Sequence, residues 1–376
     1  MRFYFSDEQE QFRDVVRKFL DDKVTSTKVR QDMASAEGFD PELWAAMSQE
    51  LGLTGVHIPE VYGGSGFGYS ELGIALEEMG RCLLCSPYFS TTALSATTIM
   101  LNGNDEQKQR LLPALAGGQQ TATLATTESD GQWEIDTTTT TATQKNGGYV
   151  INGNKKFVVD GQTADTVIVS ARESVSKSQD AISLFYVQGD AKGLTRRGLE
   201  TIDQTRRLSQ LAFHDVPAQR LGEIDASQSL RTTLDIAAIA LANEMVGGAQ
   251  RLLADAVDYA QMRIQFGRPI GSFQAIKHHC ADLLLAVELA KSAAYYASAA
   301  ADENDPELPT LASLAKAMAA ETYMKTATLC LQIHGGIGFT WDHDLHLWFK
   351  RAKSSEVYLG DPNYHRERYI QLKESG

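Results

Sequence analysis

Two stretches in the second half of the chain concentrate residues that handle anionic ligands. The first is Arg263-Ile-Gln-Phe-Gly-Arg-Pro-Ile-Gly-Ser-Phe-Gln274, continuing to Lys277 and His278. Two arginines, two glutamines and two aromatics lie around a helix break at Phe266-Gly267, and Ser272 has the type and place of an N-cap for the next helix. Guanidinium groups make charge-assisted bonds to phosphate, and the open N–H groups of a helix start favour anions. The pattern suits a diphosphate; a solvated turn between helices is the plain alternative. The second stretch is Gln332-Ile-His-Gly-Gly-Ile-Gly-Phe339, which ends an apolar helical pattern from Leu311 to Leu331. Its paired glycines let backbone approach a flat or phosphorylated ligand, because no Cβ stands in the way. A helix C-cap followed by a turn accounts for the same residues.

The elements that must carry these stretches follow from periodicity. Ser6-Asp-Glu-Gln reads as a capped helix start, followed by Phe12, Val15, Val16, Phe19 and Leu20 at helical spacing. Pro41 opens another helix at an allowed first-turn position. Helices are expected from residue 6 to about 115, with Ile58 to Gly66 as a glycine-rich connector. At about Thr121 the period drops to two. Thr121–Thr126, Thr137–Thr143, Tyr149–Ile151, Thr166–Ser170 and Ile182–Val187 read as strands, with turns at Asn146-Gly-Gly, Asn152-Gly and Asp160-Gly. The threonine run 137–140 is read as an exposed strand. From about Gln228 the chain is helical again, over Leu230–Tyr259, His278–Ala301 and Leu311–Leu331, as an antiparallel bundle.

Composition excludes several classes. The chain has 376 residues, 43% apolar and 22% charged, as expected of a globular protein with a large core. A net charge of −13 argues against nucleic acid as the partner, and no apolar run has the length of a membrane span. Acidic residues follow the N-terminus at once, without the apolar core of a signal peptide, so a cytoplasmic setting is expected. Cys82 and Cys85 form a CxxC with no second ligand pair, which reads as buried free thiols, and no metal is expected.

Taken together, the chain resembles the flavin-dependent acyl-CoA dehydrogenase family over nearly its whole length. The resemblance rests on Pro59-Glu-Val-Tyr-Gly-Gly-Ser-Gly66, Thr127-Glu128, Arg263-x-Gln-Phe-Gly-Arg-Pro-Ile-x-x-Phe-Gln274 and Gln332-Ile-His-Gly-Gly-x-Gly-Phe339. It implies a mainly helical α+β fold: an N-terminal helical domain (1–119), a middle β domain (120–226) and a C-terminal four-helix bundle (227–376). It further implies FAD, an acyl-CoA substrate, an electron-transfer flavoprotein as acceptor, and a homo- or hetero-oligomer built as a dimer of dimers. Carried over by position, Arg263 would bind the FAD diphosphate of a neighbouring subunit, and Gln265, Phe266 and Gln274 would line its adenosine side. Gln332, Gly335 and Gly336 would meet that diphosphate from another helix end, and Asp361 the adenosine part. Thr127 would face the flavin ring with Phe157 and Val159 beside it, where the family often has tryptophan and threonine. The loop Ser129–Trp133 is shorter than the family's.

The sharpest departure concerns the base. The reaction implied removes an α-proton from a thioester with a carboxylate while the β-carbon passes hydride to the flavin. Many members place a glutamate directly before the glycine of a Tyr-Glu-Gly segment; here that segment is Tyr358-Leu359-Gly360. The backbone N–H of Leu359 remains available to polarise the thioester carbonyl. The proton must go elsewhere. Glu244, in the apolar helix segment Leu241–Gln250, is the expected substitute, because burial raises a carboxyl pKa toward the useful range. Its alternative is an ion pair with a buried arginine, and Asp235 is the next candidate. Two other readings stay open: one subunit of a hetero-oligomeric dehydrogenase for sterol-derived thioesters that lacks a complete site, and a flavin oxidase or monooxygenase on the same scaffold.

Overall fold

The computed structural model describes residues 5–128, 130–145, 147–173 and 181–375. Helices come first: α1 (Asp7–Lys23), α2 (Ser26–Ala34), α3 (Pro41–Leu51), α4 (Tyr69–Cys82), α5 (Thr97–Asn102) and α6 (Asp105–Ala116). Strands follow as β1 (Ala122–Ala125), β2 (Thr141–Lys145), β3 (Gly148–Val159), β4 (Thr166–Glu173), β5 (Ile182–Gln188), β6 (Leu194–Gly198) and β7 (Leu208–Leu221). The long helix α7 (Ser227–Met262) leads to a small hairpin, β8 (Ile264–Gln265) and β9 (Arg268–Pro269). The chain ends in α8 (Gln274–Asp302), α9 (Leu308–His334), α10 (Leu345–Val357) and α11 (Pro362–Ser375). By compactness one unit comprises Met1–Gln31, Tyr69–Leu84 and Ala238–Gly376, the other Asp32–Gly68 and Cys85–Ala237.

In the first unit, α1 and α4 belong with the C-terminal helices. α1 starts where its sequence signals it: Ser6 accepts from the Gln9 N–H, and the Gln9 side chain returns a bond to the Ser6 backbone. α7 is apolar on all sides from Ile236 to Met245 apart from Asn243 and Glu244, and every residue of that stretch is buried. It meets α4 backbone to backbone. A Cβ on Gly80 would lie 2.0 Å from the Glu244 carbonyl oxygen, and one on Gly247 1.8 Å from that of Glu77. These two glycines set how close the helix bearing Glu244 comes to its neighbour. α9 packs against α8, α10 and α11, with alanines filling its buried face.

The second unit is built on a sheet that closes on itself. β4 pairs with β2 and β1 along one edge and with β5 along the other, and the ring runs β4-β2-β3-β7-β5. Closure removes exposed sheet edges from that ring. Val158, Val167, Val169, Phe185, Leu211 and Phe213 form its apolar interior.

Four local expectations are corrected. Thr137–Thr140 is not a strand; β2 begins at Thr141, because the N–H groups of Thr139 and Thr140 are spent on the Glu128 carboxylate rather than on a ladder. Asn152-Gly153 is not a hairpin turn but lies inside β3, opposite a bulge whose extra residue is on β7. α7 ends at Met262 and not at Phe266-Gly267, which instead form the tip of the β8–β9 hairpin. Ser272 does not cap α8; it sits in a 3-10 turn, and Phe273 occupies the cap position without a side-chain bond. β6 and β7 carry no expectation from the sequence, and Ser129 and Asn146 lie outside the described residues.

Candidate functional site

In the first unit, the turn Tyr358–Gly360 follows directly on α10. Leu359 adopts φ +60° and Gly360 φ +101°. A left-handed backbone costs a leucine about 1–2 kcal/mol, so its surroundings must impose it. They do so through three bonds. Lys316 Nζ, on α9, donates to the carbonyls of Gly360 at 2.8 Å and Glu356 at 3.1 Å. His365 Nε2, on α11, is 2.8 Å from the Leu359 carbonyl. Burial first, and the nearby Lys316 cation second, push His365 down to about 3, so its ring is neutral and Nε2 carries the donated proton. Gly360 must be glycine, since a Cβ there would lie 2.4 Å from the Tyr364 ring. Among the described residues the Leu359 N–H meets no acceptor. A buried turn thus presents an open backbone donor, the arrangement that binds a carbonyl gaining negative charge.

Glu244 and Arg351 form an ion pair at 2.8 Å, with both side chains buried. The pairing weighed from the sequence therefore exists, and Arg351 on α10 is the arginine concerned. Asp235 is buried on the part of α7 assigned to the second unit.

The anion-binding candidates lie on exposed backbone of the first unit. Met262 to Pro269 is exposed throughout, and Phe266, at φ +53°, is 91% exposed. The Arg263 guanidinium has no partner among the described residues. Arg268 stacks over Phe273 at 4.2 Å, and the Gln265 amide donates to the Ile264 carbonyl beside it. Gln274, Gln332, Gly335 and Gly336 are all exposed. Gly335 takes φ +64°, and a Cβ on it or on Gly336 would meet open space. An unpaired guanidinium, exposed amides and bare glycine backbone are donors of the types that fit a diphosphate. Asp361 instead caps α11, accepting from the Tyr364 N–H at 2.8 Å.

In the second unit, Thr127 is buried and its carbonyl accepts from Lys156 N–H at 2.8 Å, at the bulge that turns Phe157 to φ +59°. Val159 is buried and its carbonyl accepts from the Thr123 hydroxyl. Below Thr127 lies a closed polar network. Lys155 Nζ bonds the Thr126 carbonyl and a Glu128 oxygen, each at 2.9 Å, and the Ser170 hydroxyl at 3.1 Å. Burial tends to raise the Glu128 carboxyl, but Lys155 and the bonds from Thr139 and Thr140 outweigh it and hold the group at about 2.

Three domain models cover nearly all of this chain: acyl-CoA dehydrogenase N-terminal domain over residues 6–119, middle domain over 123–216 and C-terminal domain over 228–371. The chain belongs to the acyl-CoA dehydrogenase family. It is accordingly an oxidoreductase acting on the CH–CH bond of an acyl-CoA, and members of the family generally bind FAD. It is 32% identical over 370 residues to acyl-CoA dehydrogenase IpdE2 of Mycolicibacterium smegmatis, covering 98% of each chain. A solved variant of a steroid acyl-CoA dehydrogenase, Tcur3481–Tcur3483, is 31% identical with a TM-score of 0.90, covering 98% of both chains. Butyryl-CoA dehydrogenase of Megasphaera elsdenii is 28% identical with a TM-score of 0.92 over the full length of both. Among the described residues, no helix of this acyl-CoA dehydrogenase is long and apolar enough to cross a membrane.

Sequence reasoning missed Lys155, Lys316 and Arg351. Each had a legible signal. Lys316 falls on the buried face of α9 with Ala312, Ala315, Ala319 and Ala320, Arg351 on that of α10 with Trp348, and Lys155 on the same strand face as Ile151. A lone cation on an apolar face calls for a partner.

Proposed function

We propose that this chain takes part in the FAD-dependent α,β-dehydrogenation of an acyl-CoA thioester, with electrons passed to an electron-transfer flavoprotein, in a cytoplasmic homo- or hetero-oligomer. The observation that carries it is the Leu359 N–H, an open donor on a buried, strained turn at the position where the family polarises its thioester. The bound FAD would supply the hydride acceptor. Arg263, Gln332 and the Gly335–Gly336 backbone would hold its diphosphate; Gln265, Phe266, Gln274 and Asp361 would lie toward its adenosine; Thr127 would face its ring. The chain's own residues then bind the carbonyl, orient the α-carbon and exclude water.

The fate of the α-proton has two readings. In one, Glu244 accepts it. In the other, a carboxylate of a second, different chain does so, and this chain is one half of a hetero-oligomeric enzyme. The Glu244–Arg351 pair favours the second reading: a carboxylate already bonded to a buried guanidinium must break that bond before it can accept a proton. Leu359 also leaves an apolar side chain where the family commonly has a carboxylate, which suits a branched or polycyclic acyl group.

The test is to purify the chain alone, measure flavin per chain, and follow flavin reduction by an acyl-CoA panel, sterol-derived thioesters included, under argon. One FAD per chain and reduction by some thioester support a self-sufficient enzyme, and Glu244→Gln should then abolish reduction by at least about a hundredfold. Reduction that survives Glu244→Gln removes Glu244 from the reaction. Flavin below one per chain, restored only with a second subunit, establishes the hetero-oligomer. Rapid peroxide formation in air would instead mark an oxidase. Arg263→Ala should lose FAD on gel filtration.

A further inference from the structure

The ammonium of Lys316 is fully buried and, among the described residues, lies within bonding distance of two carbonyl oxygens and no carboxylate. Burying a cation without a bonded counter-charge is costly, and methionine would fill the same volume without that cost. Of the two carbonyls it holds, one lies at the end of α10 and the other is the last of the Tyr358–Gly360 turn. His365 holds the carbonyl between them. Three consecutive demands of the turn are thereby met: the end of the helix, the left-handed Leu359 and the exit into α11.

The geometry points to Lys316 as a positioning residue for carbonyl polarisation: with His365 it clamps the Tyr358–Gly360 turn so that the Leu359 N–H is presented to the acyl thioester oxygen. This rests on the carbonyl-binding reading of Leu359 given above. Lys316 acts in two ways. Its bonds remove the freedom of the peptide units that carry the donor, so that no reorganisation is needed as charge develops. Its positive charge sits two peptide units beyond that N–H inside a buried region, where an attraction to an enolate oxygen is screened far less than in water. The nearest carboxylates, Glu356 and Asp361, act on it only through space.

The test uses the FAD-loaded protein with acetoacetyl-CoA, whose α-carbon ionises without a catalytic base or a hydride step. The ultraviolet absorbance of its enolate against pH therefore reads carbonyl polarisation, with Lys316 still charged below about pH 7. Wild type should lower the apparent enol pKa of bound acetoacetyl-CoA below that of the free thioester. Lys316→Met should lose about tenfold of that enolate stabilisation, with binding weakened by less than about threefold. Lys316→Arg, which keeps charge and donors, should restore most of it. Should Lys316→Met fail to fold, His365→Phe carries the same test, since it removes only the bond to the Leu359 carbonyl. A folded Lys316→Met or His365→Phe with the wild-type enol pKa overturns the positioning role. A wild type that does not shift the enol pKa overturns the Leu359 reading itself, which a variant-only failure does not.

Discussion

Lys155 in the β-rich unit and Lys316 in the helical unit are both fully buried, and they are satisfied in different ways. Lys155 has a carboxylate, Glu128, at 2.9 Å, and that carboxylate in turn takes the N–H groups of Thr139 and Thr140. Charge is cancelled where it is buried. Among the described residues Lys316 is bonded by carbonyl dipoles alone. Burial pulls both lysines down, to about 8 for Lys155, where Glu128 resists, and to about 7 for Lys316, where the opposing carboxylates are more remote. A closed pair of the first kind fixes a backbone segment, here Thr126–Glu128, and exerts little field beyond it. An ammonium held by carbonyls alone fixes a turn and leaves its field uncancelled locally. The first arrangement suits a wall; the second suits a place where negative charge must form.

The largest break in this comparison should come from Lys155→Met, which strands a buried carboxylate. Urea unfolding should show a loss of about 3–5 kcal/mol. Adding Glu128→Gln should recover more than half of that loss, because the pair is then neutral on both sides; a double variant as unstable as the single one would show that Lys155 acts beyond its partner. Lys316→Met leaves carbonyls unbonded but no orphan charge. Its cost should be smaller, about 1–3 kcal/mol by the same measurement. The order of these two losses is the sharpest single check.

Titration gives smaller, slower effects. The folded value of Lys316, about 7, lies below its unfolded value of about 10.4. Between them the unfolded chain binds the extra proton. Wild-type stability relative to Lys316→Met should therefore rise with pH from about 7 upward, by at most about 1.4 kcal/mol per pH unit, and be lost again as pH falls back. Glu128 titrates at the other end. Its folded value of about 2 lies below the unfolded value of about 4.3, so its contribution is present above about pH 4 and declines as pH falls toward 2. Glu128→Gln should flatten that acid limb; an unchanged limb would mean that the Lys155 pair is not what holds the carboxylate ionised.

Much of the fold is legible in the residues. Ser6 and Gln9 close a capping box, Pro41 starts a helix, and alternating Val, Ile and Phe place β3, β4 and β5, because these signals act within one turn or one strand. Thr137–Thr140 misleads for a reason of the same scale. Threonine favours strands only while its N–H groups remain free for a ladder, and Glu128 takes them. Asn152-Gly153 misleads because a strand segment facing a bulge and a hairpin turn can carry the same residue types. The site divides in the same manner. Exposed Arg263, Gln332 and Gly335 can be picked out from motif alone, since an exposed loop is a local object.

By itself the sequence determined the family, the order of helical and β-rich segments, the motifs proposed to bind a diphosphate and the leucine at 359. Each is a property of contiguous residues. Only the tertiary structure decided that Glu244 is tied to Arg351, that Lys155 meets Glu128, and that Lys316 and His365 close around the Tyr358–Gly360 turn. Those partners are separated by 107, 27, 44 and 6 residues respectively. Whether a buried charge acts as a base, a staple or a source of field depends on the group it faces, and that is settled by packing.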